Sequence, residues 1–237
     1  MSIPSSTIPP IIHQVWFQFS PDKPSTPPAE YDEMRASWRN FHPGWEVKLW
    51  NEEQALQLLH QHYPWAVENF QAYEKPILKV DAIRYFLLHH FGGFYVDCDT
   101  LCKASLEPLR KEKTVLVRDV NPALGLNNGF MGSVQGDVLM FRCARNLPKS
   151  SMFSDPIQRT GPQYLTFNWL TANNKSSIKI LTVKQLQHYF EHYHFASWTW
   201  IAQWRKALDP KRRQYMKLEE VPSPLRFFLK GRVGKAL

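Results

Sequence analysis

Two periodicities alternate along the chain. IIHQVWFQF at 11–19 is rich in β-branched and aromatic residues and predicts a buried strand. A proline-rich loop follows at 21–28. EYDEMRASWRNF at 30–41 predicts a helix, broken by His42-Pro43-Gly44. From Trp45 to Trp50 apolar and charged positions alternate, a second strand. Asn51 is placed to cap a helix over EEQALQLLHQHY, and Pro64 to open another. PILKVDAIRYFLLHHF at 76–91 is strongly helical, and Gly92-Gly93 ends it. Phe94-Tyr95-Val96 then starts a short strand that runs into Asp97-Cys98-Asp99. TVLVR (114–118), NGFMGS (128–133) and IKILTV (178–183) predict strands; QGDVLMFRCARN (135–146) and PQYLTFNWLTA (162–172) predict helices. Strands alternating with helices imply an α/β sandwich around a mostly parallel sheet.

A chain of 237 residues suits one domain, read here as residues 1–197, with an appended segment at 198–237. Aromatic content of 14% fits a packed globule. The cysteines, Cys98, Cys102 and Cys143, form neither a zinc pattern nor a full disulfide set, which fits a reducing compartment. The opening MSIPSSTIPP lacks a signal-peptide pattern and no apolar run approaches a membrane span, so the expectation is a cytoplasmic protein. Formal net charge is +8, and the ten Lys and Arg against three acidic residues at 198–237 supply nearly all of it. That segment interleaves its charge with Trp198, Trp200, Trp204, Phe227 and Phe228, which suits peripheral contact with an anionic membrane surface. Nucleic acid fits the charge as well, but nothing else in the chain calls for it.

The chemistry concentrates at Asp97 and Asp99. In an extended chain residues i and i+2 point the same way, so both carboxylates share a side while Cys98 turns inward. Such a pair repels itself unless a cation compensates, and carboxylate oxygens suit Mg²⁺ or Mn²⁺ beside a diphosphate. Upstream, Asp81 and Arg84 share one helix face at i and i+3. Arg84 can hold a phosphate or pair with a carboxylate, and Asp81 can accept hydrogen bonds from sugar hydroxyls.

Ile11-Ile12-His13-Gln14-Val15-Trp16, the Trp45–Trp50 strand, KVDAIRYFLLHHFGGFYVDCD (79–99) and Thr160-Gly161-Pro162 occur in one order. Together they resemble glycosyltransferase family 32 over roughly residues 8–200. The resemblance implies a GT-A fold, a Rossmann-like mixed sheet flanked by helices, and retention of configuration at the donor carbon. It implies that Asp99 is the principal metal ligand, that Asp97 helps hold the metal and the donor, that Asp81 binds the transferred sugar and that Arg84 lies against nucleotide or phosphate. Trp16 is expected to line the base pocket with His13 behind it, and Asn128 and Gly161 to lie near the sugar. HYHFASW (192–198) resembles a stretch closing over the diphosphate through Ser197 and Trp198, with His192 or His194 as a further metal ligand. The expected donor is a UDP- or GDP-hexose, the acceptor a glycan or lipid-linked acceptor. Two other readings use the same residues: a metal-dependent phosphohydrolase, which needs more His or Asp ligands, and a non-catalytic carbohydrate-binding module, which does not need all four charged residues.

Overall fold

The computed structural model describes residues 7–19, 25–173 and 175–192. Strand β1 (Ile11–Val15) leads through α1 (Asp32–Phe41) to β2 (Glu46–Trp50). Helices α2 (Glu52–His62), α3 (Val67–Gln71) and α4 (Pro76–Phe91) follow, then β3 (Gly93–Val96), β4 (Thr100–Cys102) and β5 (Thr114–Arg118). The remainder is β6 (Leu126–Ser133), α5 (Val138–Asn146), α6 (Pro156–Arg159), α7 (Pro162–Leu170), β7 (Ile178–Leu181), α8 (Val183–Tyr189) and β8 (Phe190–His192).

Six strands form one sheet in the order β2-β1-β3-β6-β5-β7, and β4 pairs with β8 in a second, two-stranded sheet. β1 is parallel to both β2 and β3, and β7 is parallel to β5. β6 is antiparallel to both its neighbours and the other five strands run one way, so the sheet is mostly parallel, as expected, and mixed through β6 alone. The period-two alternation of the strands sorts side chains to two faces. Tyr95, Leu116 and Met131 join a core with α2, α3, α4, α5 and α7. Phe94, Val96, Val115, Val117 and Phe130 join a second core with Trp38 of α1.

Several boundaries differ from the sequence expectation for local reasons. β1 stops at Val15, opposite Trp50, where its partner β2 also ends. α5 begins at Val138, because Gly136 adopts φ +77° and the Asp137 carboxylate caps Met140 N. The predicted strand at 178–183 ends at Leu181, where Thr182 and Gln185 form a capping box that starts α8. The Asn51 cap occurs as expected, also as a capping box, with Gln54.

α4 positions the site. Its residues Leu78 and Val80 through Leu88 are buried, polar ones included. A helix apolar on every side belongs in a core, and α4 runs beneath the sheet against β1, β3, β6 and α5. Its end is fixed by Gly92 (φ +68°) and Gly93 (φ +91°). A Cβ at Gly93 would stand 2.6 Å from Ile11 O, and one at Gly92 2.6 Å from Gln135 N, so both conformation and space require glycine. The three cysteines are buried and unbridged. Among the described residues no helix is long and apolar enough to cross a membrane.

Candidate functional site

β3 ends at Val96, and Asp97 is the first residue past it. Because β6 runs antiparallel, with Val96 opposite Phe130, the start of β6 returns to the edge where β3 finishes. The Asp97 amide donates to Gly129 O at 3.0 Å, which brings Asn127, Asn128 and Gly129 against the acidic pair. A Cβ at Gly129 would overlap Asp97 Oδ2 and stand 2.9 Å from Asn127 Oδ1. Glycine is what lets the carboxylate lie flat on the strand.

Arg84 organises the floor of this edge. Its guanidinium is buried, 2.8 Å from Asp81 Oδ1 and 3.6 Å from Asp97 Oδ1. Nη1 donates to Asn128 O at 2.6 Å and Nε to Val80 O at 3.2 Å. The guanidinium carbon lies 4.3 Å from the centre of the Tyr95 ring. A buried charge is tolerated only when paired and hydrogen-bonded, and every one of these partners supplies part of that condition. Asn128 Nδ2 donates to Asp81 Oδ1 at 3.1 Å, and Tyr95 Oη donates to Asp97 Oδ1 at 2.8 Å. Burial pushes the Asp81 carboxyl up to about 6, against the pull of Arg84.

The acidic pair itself is not extended. Residues 98 and 99 form a turn between β3 and β4, so the shared side of Asp97 and Asp99 comes from the chain bending, not from strand alternation. Thr100 Oγ1 donates to Asp97 O at 2.6 Å, and Trp38 Nε1 donates to Thr100 O at 3.0 Å, tying the turn to the second core. Cys98 faces inward as expected, its Sγ 3.4 Å from Val15 O, and burial raises its thiol. Asp99 is buried and Asp97 half-buried. One ligand atom each from Asp97, Asp99 and His192 lies within 4.8 Å of the others. That spacing, two carboxylates and an imidazole, fits a single divalent ion, and the hard oxygen donors suit Mg²⁺ or Mn²⁺.

The other expected site residues fall in different places. Gly161 caps α7 beside Asp81: a Cβ there would be 3.2 Å from Asp81 Oδ2. Trp16 is half-buried, edge-on to Tyr31 with ring centres 5.1 Å apart. His13 is enclosed, 1% exposed, with Nε2 donating to Gly92 O at 2.9 Å and Nδ1 accepting from Trp50 Nε1 at 3.1 Å. Both ring nitrogens are committed, so His13 ties β1 to the α4–β3 corner instead of reaching a ligand, and burial lowers it to about 4. Arg84, expected against a phosphate, is likewise turned inward to the carboxylates. His194, Ser197, Trp198 and the basic segment 198–237 lie outside the described residues. Sequence reasoning gave no role to Tyr95 or Gly129. Tyr95 stands two residues before Asp97 in a strand, a same-side signal that was legible; Gly129 depends on register and was not.

Comparison with known proteins agrees with this arrangement. Residues 28–116 match the model of the glycosyltransferase sugar-binding region containing a DXD motif. Mannosyl phosphorylinositol ceramide synthase SUR1 of Saccharomyces cerevisiae is 33% identical over 205 residues, covering 83% of this chain and 52% of that protein. Inositol phosphoceramide mannosyltransferase 3 of Schizosaccharomyces pombe is 31% identical over 170 residues, covering 70% and 46%. The chain thus spans about half the length of these curated relatives. The solved structure of PaToxG glycosyltransferase superposes with a TM-score of 0.52 at 14% identity, covering 68% of this chain and 69% of that one. The mixed sheet with helices on both faces is the GT-A fold. Its acidic pair at the end of β3, the buried arginine beneath it and the matched region together make the chain similar to the DXD-motif glycosyltransferases and consistent with the family 32 type.

Proposed function

We propose that the protein is a metal-dependent glycosyltransferase that moves a hexose from a nucleoside diphosphate sugar to an acceptor hydroxyl. The observation that carries this reading is the buried Asp81–Arg84–Asp97 lattice, which holds one of the two acidic side chains in a fixed position at the open end of the sheet. In this reading Asp97, Asp99 and His192 hold a divalent ion, which when bound neutralises charge on the departing diphosphate. Arg84 and Tyr95 orient Asp97 and do not touch the donor. Asp81 and Asn128 bind hydroxyls of the transferred sugar, and Gly161 leaves room for it. Trp16, with its half-exposed ring, lines the base pocket by stacking.

The same geometry supports retention of configuration. The Asp81 carboxylate already accepts from Arg84 and Asn128, which lowers its value as a nucleophile for a double displacement. Attack by the acceptor from the face that the diphosphate leaves is the simpler course. The names of the curated relatives make a mannosyl donor and an inositol phosphoceramide-type lipid the first pair to try. The test is incubation with Mn²⁺ and a panel of UDP- and GDP-sugars, reading released nucleotide and the anomeric configuration of the product. Donor-selective release that requires the metal supports the proposal. No release from any donor, with or without acceptor lipid, refutes it.

A further inference from the structure

Among the described residues eight large apolar side chains are exposed, and five of them, Val138, Met152, Phe153, Phe167 and Leu170, fall within residues 138–170. They are not scattered. On α5, Val138, Arg142 and Arg145 are spaced i, i+4 and i+7, one outward face of the helix. On α7, Gln163, Phe167 and Leu170 repeat that spacing. The two helices are tied to each other: Arg142 Nη2 donates to Thr171 Oγ1, just past α7, at 2.8 Å, and Asn146 Nδ2 to Asn168 Oδ1 at 2.8 Å. A hollow of about 440 Å³ lies between them, with Phe153, Phe167, Lys149 and Arg142 on its walls. A second hollow of about 860 Å³ shares Arg142 and Asn146 and adds Val138, Arg145 and Lys113. The two hollows therefore adjoin at Arg142 and Asn146, and Val138, Phe153 and Phe167 line them.

The charge of this surface is one-sided. Arg142, Arg145, Lys149 and Lys175 stand in it or on its rim, whereas Asp137 and Asp155 are spent as helix caps, accepting from Met140 N and Ile157 N. Lys175 Nζ closes the end of α7 by donating to Leu170 O at 2.6 Å. Contiguous apolar patches on a soluble surface mark interaction sites. Exposed phenylalanines and aliphatics set among lysines and arginines match an anionic bilayer: apolar groups enter the headgroup boundary while cations meet lipid phosphates. The hollows add depth that a headgroup phosphate can fill beside Arg142. We infer that the α5–α7 face docks the protein peripherally on an anionic membrane surface, independently of residues 198–237 and of the acidic site.

The test uses the whole chain and vesicles of phosphatidylcholine with and without phosphatidylserine. Wild type should sediment with the anionic vesicles and be released by salt. Phe153→Ser with Phe167→Ser should weaken partition tenfold or more. Arg145→Glu with Lys149→Glu should weaken it about fivefold per cation removed and make what remains less sensitive to salt. All four positions are at the surface, and unchanged melting temperatures confirm folding of both variants. The inference fails if wild type does not partition, or if both variants partition as wild type does. It also fails if sedimentation velocity shows that wild type self-associates, the variants are monomers and vesicle partition is unchanged; a second copy of the chain is then the occupant. Nucleotide release is not read in any arm, so the outcome stands apart from the proposed catalysis.

Discussion

Replacing Gly129 with alanine probes the site through its geometry alone. The glycine lies in β6 with φ outside the left-handed region, so alanine introduces no backbone strain there. The added Cβ would overlap Asp97 Oδ2 and stand 3.2 Å from Asp97 Cγ. Ordinary van der Waals contact begins near 3.4 Å, so the carboxylate must retreat by roughly 1 Å. It cannot retreat freely, because Tyr95 Oη holds it at 2.8 Å and the Asp97 amide is bonded to Gly129 itself at 3.0 Å. A displacement of that size at a reacting centre costs about 100-fold in rate, or ~2.7 kcal/mol of transition-state stabilisation. The assay is kcat/KM for nucleotide release at saturating Mn²⁺, with metal affinity and thermal stability measured on the same preparation. A loss of about 100-fold in kcat/KM with weakened metal binding and a melting temperature close to wild type is expected. Turnover within twofold of wild type would refute the idea that Asp97 must lie flat against β6.

Further expectations follow from other contacts. Asp99→Asn should abolish metal-dependent nucleotide release and leave the circular dichroism spectrum unchanged; retained turnover in metal-replete buffer contradicts its role. Arg84→Met leaves two carboxylates beside an apolar side chain and should destabilise the fold by about 3–5 kcal/mol in urea unfolding; a smaller loss would mean that Asp81 and Asp97 do not depend on it. His13 is depressed to about 4 in the folded protein against 6.5 unfolded, so the unfolded chain binds more protons between those values. Its contribution to stability is complete above pH 6.5 and is lost as pH falls through 4, about 3 kcal/mol in all. Asp81, raised to about 6, acts in the opposite sense, contributing fully below its unfolded value and losing that contribution as pH rises through 6. Subtracting the pH–stability curve of His13→Gln from that of wild type isolates the His13 part; equal slopes in the two curves would show that the ring is not held neutral.

The helices and strands bracketed by strong local signals were legible in the sequence. Pro76 and Gly92 delimit α4 to the residue, and Asn51 caps α2 as read. The Asp81–Arg84 spacing forecasts a pair on one helix face, and the pair is there, buried with the rest of α4; its contacts with Asp97 and Asn128 depend on strands distant in the chain. What could not be read was set by non-local pairing. The direction of β6 decides which end of it meets Asp97; had β6 run parallel to β3, Asn128 and Gly129 would lie at the opposite edge. The bend at 98–99 replaced the extended run because Thr100 and Trp38 fasten the backbone there from the second core. IKILTV alternates to Val183 and predicts strand over the whole run, but the T-x-x-Q capping box at Thr182 ends β7 at Leu181 and starts α8.

Crystals grown with Mn²⁺ and a nucleoside diphosphate offer the most direct test of the central claim. The account predicts one anomalous peak bonded to Asp99 and to the diphosphate, with Asp97 adjoining it and Arg84 still turned beneath. A diphosphate bound elsewhere, or an ion that leaves both aspartates untouched, would contradict it.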